Sequence, residues 1–421
     1  MFAPVSVFSN SFNSRRLLLL VTWCCLVGGA HASSNTDGDE TLSLVETRLL
    51  LMKDVARYKW HHDQPVEDLA REQVVLEQAR SDALRHSLNV ESYRAFMSAQ
   101  INAAKAIQQY WFRRWQRGAP PDEGPDLVGA IRPQLITLGQ KIAHSLTSSD
   151  LEHQRAIISV RGLDKASKEQ LTHKLSLVQR YAHRLEQVLS SGTLRIGTTG
   201  DYAPFSLAIG DIQAMKFEGV DIDLAIDLAR SLGVEPVFVR TSWPTLMADL
   251  ANGAFDVGMS GVSRTITRSR EAFFTQPYHR GGKTPIARCI DRDRFRSLVD
   301  IDKPGVRIIV NPGGTNEAFT RQLTQADVRV FEDNTAIFSE IIESRADIMF
   351  TDLIEVQLQT SIHPDLCEVM KVPLTYQEKA ILLPQDLHLM ETVRTWLDQR
   401  LGDGTVRRLF DRHTDGGDPI E

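Results

Sequence analysis

The sequence offers no apolar run long enough to cross a membrane. The candidate, LLLLVTWCCLVGG at 17–29, has 13 residues, and a spanning helix needs about 20. Basic residues are not in excess: 48 Lys and Arg stand against 54 Asp and Glu, a net charge of −6. That argues against nucleic acid as a partner but leaves room for a local basic pocket. Cysteine is scarce, with four in 421 residues, and no Cys/His group has metal-ligand spacing. His61-His62 reads as an exposed helix end, so neither a metal nor an organic cofactor is expected. Strand periodicity is missing from the whole stretch before residue 190.

Residues 1–32 read as an export signal. Arg15 and Arg16 form its basic region, 17–29 its apolar core, and Ala30-His31-Ala32 its cleavage site. The expected mature chain starts near Ser33, in the periplasm, with no stable membrane anchor. The arginine pair leaves a twin-arginine route open. A lipoprotein site at Cys24 is opposed by the bulky Trp23. Cys24 and Cys25 depart with the signal, leaving Cys289 and Cys367. Two cysteines in an exported chain suggest one disulfide, with two buried thiols as the alternative.

The 42% hydrophobic and 24% charged residues fit two or three globular domains. Residues 33–40, SSNTDGDE, form a polar leader with no reason to fold, and 414–421 a polar tail. Helical periodicity covers about 41–62, Pro65 to Leu88, and Asn89 to Arg117. After the breaker GAPPDEGP at 118–125, it covers 127–146, 149–161 and 168–189. At Ser190-Ser191-Gly192 the period changes. Strands at 193–198, 237–240 and 256–260 alternate with helices at 220–232 and 245–251, which predicts an α/β unit with parallel pairing.

The stretch from Arg48 to Glu72 carries polar groups on the wrong face of a helix. Arg48 and Lys59 are 11 residues apart, about three turns, so both point the same way. They lie beside the stripe Val45, Leu49, Met52, Val55 and Ala56. Asp68, Arg71 and Glu72 follow on the next helix. Such a cluster beside an apolar face is costly unless a charged ligand compensates; read bare, it is equally a solvated, salt-bridged helix.

With these residues and spacings, the stretch resembles the all-helical chorismate mutases of the secreted subclass, over roughly 41–190. The resemblance implies that Arg48 and Arg71 take substrate carboxylates and that Lys59 and Gln108, the latter in AQINAAKAIQQYW, face the ether oxygen. It implies that Glu72 accepts from the ring hydroxyl beside Asp68. Ala104 stands where relatives carry Ser or Thr. A further cation from a later helix is expected at Lys141. Mutases of this class are commonly dimers, so a homodimer is the assembly implied.

The second half resembles the periplasmic amino-acid-binding proteins through LRIGTTGDYAPFS at 194–206, FEGVDIDLAIDLA at 217–229 and FDVGMSGVSRTITRSREAFFTQPY at 255–278. Two lobes are implied, one from 193–283 with 378–413 and one from 284–376, around a ligand cleft. Cys289 and Cys367 both fall in the second. Arg268 sits at the spacing of the arginine that grips a ligand carboxylate, with Arg264 a second candidate. Ser263 and Thr315 match the hydroxyls of the two lobes, and Asp352 the aspartate that usually holds the ligand's ammonium.

A sharper resemblance is to cyclohexadienyl dehydratase, through PYHRGGKTPI at 277–286, NPGGTNE at 311–317, TDLIE at 351–355 and EKAILLP at 378–384. It implies Glu355 as general acid, with Lys283, Arg268 and Thr315 holding the carboxylates of prephenate. The bland alternative makes Glu355 a helix N-terminal residue favoured by the dipole. The expected fold is thus an all-α helical domain at 41–190 followed by a two-lobed α/β domain at 193–413. The expected activity takes chorismate through prephenate to phenylpyruvate, with arogenate as a further substrate. The competing class is a mutase fused to a non-catalytic receptor for an aromatic amino acid.

Overall fold

The computed structural model describes residues 36–146, 158–210 and 215–414, so the export signal expected at 1–32 lies outside it. Helix α1 (Thr36–Leu50) and α2 (Met52–His61) are separated only by a turn at Leu51. Residues 36–40, expected as unfolded leader, are the start of α1. Helix α3 (Leu69–Arg85) begins four residues after Pro65, because Asp68 accepts the Arg71 N–H and caps it. Helix α4 (Val90–Gln116) is capped by Asn89. At 27 residues it is about 40 Å long and forms the spine of the bundle. Its inner face (Tyr93, Phe96, Ala103, Ile107) packs against Val45, Leu49, Met52 and Val55, the stripe that the periodicity marks.

The later helices depart further from expectation. Residues 127–146 open with a π-helical turn, Leu127–Ile131, held by Asp126, before α5 (Arg132–Ser145). Of the helix expected at 149–161, residues 147–157 lie outside the described residues and 158–161 are not helical. The single helix expected over 168–189 is two, α6 (Lys165–Ser176) and α7 (Arg184–Ser191). The side chain of His183 caps α7, and Val188 on α7 is buried in the core of the α/β unit.

That unit holds two five-stranded sheets. In the first, Thr193–Thr198 lies between Glu235–Arg240 and Val257–Gly258, parallel to both. Leu382–Leu383 then returns antiparallel, followed by Phe273–Phe274. In the second, Arg307–Val310 pairs parallel with Asp327–Val330 and Ile348–Asp352. Lys283–Arg288 and Leu366–Glu368 complete it in antiparallel sense. The sheets are therefore mixed rather than purely parallel, because strands arriving from the other lobe run backwards. The chain crosses between lobes twice, and the crossovers pair as a two-stranded ribbon, His279–Gly281 with Gln377–Lys379. Gly282 follows it; a Cβ there would lie 1.7 Å from the Thr375 carbonyl oxygen, so only glycine lets the crossovers pass this closely. Cys289 and Cys367 are joined as a disulfide within the second lobe.

Hydrogen bonds between the bundle and the rest run from Arg85 to the Asn252 side chain on the first lobe and from Gln187 of α7 to the Leu88 carbonyl. Gly253 packs so close to the Arg85 backbone that a Cβ would meet it at 2.9 Å. Buried Asp256 on the same lobe pairs with Arg195 and with Arg184 of α7.

Candidate active sites

The bundle encloses a cavity of about 180 Å³. Arg48, Lys59, Asp68, Arg71, Glu72 and Gln108 all line it; α1 to α4 bring together the residues that the resemblance implied. Arg48 is buried and donates through Nη1 to Gln100 Oε1 at 3.1 Å, while its Nε has no partner among the described residues. Gln108 donates to the Ala104 carbonyl at 3.2 Å, and its Oε1 has no partner among the described residues. Buried polar atoms left unpaired are costly, and both belong to a cavity with room for a ligand. Lys59 donates to the Val66 carbonyl at 2.8 Å.

Burial lowers the pKa of Arg48, Lys59 and Arg71. Their mutual proximity adds to this: Arg71 acts on Arg48, and Arg132 on both Lys59 and Arg71. A bound anion would relieve the whole group.

Arg132 and Lys105 were not anticipated, and both line the cavity. Lys105 bridges Glu72 at 3.1 Å and Glu67 at 3.3 Å. Lys141, the expected later cation, is exposed and does not line the cavity. On α5 the inward face is Arg132, Leu135, Ile136 and Gly139. Lys141 is nine positions on from Arg132, about half a turn out of phase, so the α5 cation that lines the cavity is Arg132.

The second site lies between the lobes, which are closed on a cavity of only about 20 Å³. Asn334 donates to the Asp201 carbonyl at 2.8 Å, and the Tyr202 hydroxyl donates to Asp352; both bonds cross the cleft. Ser263, Arg268, Thr315 and Asp352 line it, with Lys379 in addition. Arg268 is largely buried, which lowers its pKa, and donates to the Ser263 carbonyl at 3.0 Å. Arg264 is elsewhere: half-exposed, it faces outward and pairs with Glu378 at 3.3 Å.

Asp352 does not offer the free carboxylate expected for an ammonium. Lys283 Nζ donates to one oxygen at 2.8 Å, and Lys379 Nζ, at 2.6 Å, shares the other with Tyr202. Lys379 also reaches Ser263 Oγ at 3.0 Å. Lys379 belongs to the EKAILLP motif, but only the closed fold shows that it points at Asp352. Lys283 is fully buried one residue behind the cleft lining, and burial pushes it down to about 8.

Glu355 is buried beside it and pushed up to about 8, first by burial and then by the Asp352 charge. It is the third residue of the helix Leu353–Ile362. In the capping arrangement such a glutamate accepts from the N-cap backbone; Glu355 instead accepts from the Thr351 hydroxyl.

Among the described residues, His183, Asp386 and His388 come close enough to share an ion. Their chemistry opposes it. His183 Nδ1 and both Asp386 oxygens already accept backbone N–H groups, and the two rings stack 3.9 Å apart. Nearly parallel rings cannot aim both lone pairs at one ion.

A two-lobed receptor fold carrying a helical bundle with an anion-ready cavity is the class that fold and sites define. The family described as bacterial extracellular solute-binding proteins, family 3, matches residues 194–416, and chorismate mutase type II matches 38–109. Cyclohexadienyl dehydratase of Pseudomonas aeruginosa is 46% identical over 236 residues, 56% of this chain and 87% of that protein. The secreted chorismate mutase of Yersinia pestis is 37% identical over 107 residues, 25% of this chain and 58% of that protein. Among solved structures, an ancestral amino acid-binding protein, a precursor of cyclohexadienyl dehydratase, superposes with a TM-score of 0.51 at 34% identity. It covers 55% of this chain and 99% of that one. The chain belongs to the family 3 solute-binding proteins, with a chorismate mutase type II domain fused ahead of that fold.

Proposed function

We propose that this protein is an exported bifunctional enzyme that rearranges chorismate to prephenate in the helical cavity and converts prephenate to phenylpyruvate in the cleft. Arogenate, which differs by an amino group in place of the keto group, would give phenylalanine in the same cleft. The family's extracellular character supports export to the periplasm. No helix among the described residues is long and apolar enough to cross a membrane. A homodimer is the assembly proposed for the mutase half.

In the first reaction one C–O bond breaks as one C–C bond forms, and no proton moves. The protein need only hold the reactive conformer and stabilise charge on the ether oxygen. Arg48, Arg71 and Arg132 would take the two carboxylates, Lys59 and Gln108 the ether oxygen, and Glu72, held by Lys105, the ring hydroxyl. In the second, prephenate and one proton give phenylpyruvate, carbon dioxide and water. The electrons of the breaking C–C bond complete the aromatic ring as the hydroxyl leaves with a proton from Glu355. Arg268 and Thr315 would hold the carboxylates, with Lys283 and Asp352 fixed behind them.

One observation carries the enzyme reading over the receptor reading. Asp352, the ammonium site of a receptor, is occupied by two of the protein's own lysines, beside a buried glutamate poised as an acid. The test supplies chorismate alone to residues 33–421 and separates prephenate from phenylpyruvate. Phenylpyruvate from wild type, with prephenate accumulating from Glu355→Gln, is expected. Prephenate from both would leave the mutase standing and make the second half a receptor.

A further inference from the structure

A line of buried hydrogen bonds runs from Lys283 to Glu355. Lys283 can only donate, so the Asn316 atom facing its Nζ is the acceptor Oδ1. That turns the Asn316 amide nitrogen toward Asn311 Oδ1 at 3.0 Å and toward Thr351 Oγ1 at 3.3 Å. With its oxygen accepting from Asn316, Thr351 has one proton to give, and the bond it makes is to Glu355 Oε2. The chain runs from the strand Lys283–Arg288 through the helix Thr315–Thr320 to the strand Ile348–Asp352, every side chain buried. Turning the Asn316 amide over would set its nitrogen donors against the Lys283 ammonium.

We infer that Thr351 is a positioning residue for the dehydration, its hydroxyl held as a donor toward Glu355 so that the carboxylate left by proton delivery meets a hydrogen bond already in place. This rests on Glu355 as the acid. Before transfer Glu355 is neutral and gains little from a donor. After transfer it is an anion in a buried site, where a charge-assisted bond is strong. The interaction strengthens along the reaction, which is the condition for accelerating it.

The charged and titratable groups acting on Glu355 are Asp352 and Asp201, which oppose its ionisation, and Lys283, which favours it with Thr351. Buried Tyr202, coupled to Glu355, stays protonated.

The test is the pH profile of kcat and kcat/KM for prephenate in wild type, Thr351→Val and Thr351→Ser. Valine keeps the volume and removes the hydroxyl; serine keeps the hydroxyl. Thr351→Val should lower kcat by about 10- to 100-fold with KM little changed, and move the alkaline limb upward by about one to two pH units. Thr351→Ser should restore the limb and most of kcat. If Thr351→Val does not fold, Thr351→Cys, a weaker donor of similar size, should move both readouts the same way. A valine variant with the wild-type limb and kcat would overturn the inference, as would serine and valine variants impaired alike. A wild-type chain without dehydration would instead overturn the acid assignment, and this inference with it.

Discussion

Asp352→Asn would remove the carboxylate that two buried lysines share, without changing the size of the side chain. Lys283 and Lys379 stand 2.8 and 2.6 Å from it. Removing one partner of a buried ion pair costs about 3–5 kcal/mol, because a charge is left without compensation. Two ammonium groups are stranded here, but Lys283 already lies at about 8 and would shed its proton rather than bear the whole cost. The loss at pH 7 should therefore stay near that range. For a domain of this size it corresponds to a fall of about 6–20 °C in the α/β transition.

The pH dependence gives a second handle. A lysine whose folded pKa lies below its unfolded value of 10.5 destabilises the fold at low pH. The penalty fades as pH rises from the folded value to the unfolded one. Without Asp352, which raises Lys283, the folded value falls further, so the deficit should shrink as pH rises toward about 8, where wild-type Lys283 also loses its proton, and stay level above it. Calorimetry at several pH values would measure it. A melting point equal to wild type, or a deficit that does not change with pH, would refute the reasoning.

Arg132→Ala should lower chorismate rearrangement by about 100-fold or more, with Lys141→Ala within about twofold of wild type; steady-state assays on both separate the inward cation from the outward one. Dehydration needs Glu355 protonated, so kcat/KM for prephenate should fall as pH rises through about 8; a rate flat to pH 9.5 would reject Glu355 as acid. Reducing Cys289–Cys367, 78 residues apart, should destabilise the second lobe by about 4.5 kcal/mol on the chain-entropy account. In a melting experiment with reductant the α/β transition should move and that of the bundle stay.

Local features of these sites were legible in the sequence; features assembled across the fold were not. Arg48 and Lys59 could be placed on one surface because helical phase sets their directions, and Arg71 followed from the resemblance. On α5 the resemblance implied a cation without fixing its position, and the inward one is Arg132, not Lys141, which lies about half a turn away. Asp352 was readable as a clamp for an ammonium, but not as a clamp already filled. Lys379 reaches it from the returning crossover strand, and no spacing connects the two. Arg264 failed for a similar reason: its partner Glu378 lies on that same strand. Glu355 sits where a capping residue would, and only its bond to Thr351 tells the two readings apart.

The attachment of the bundle to the first lobe bears on how such a protein could arise. The Arg85–Asn252 bond and the close approach at Gly253 fall on the first lobe, and the connection continues through α7 into that lobe's core. The ribbon that joins the lobes, His279–Gly281 with Gln377–Lys379, contributes none of these contacts. A gene joined in front of a receptor at this point adds a catalyst without loading the hinge.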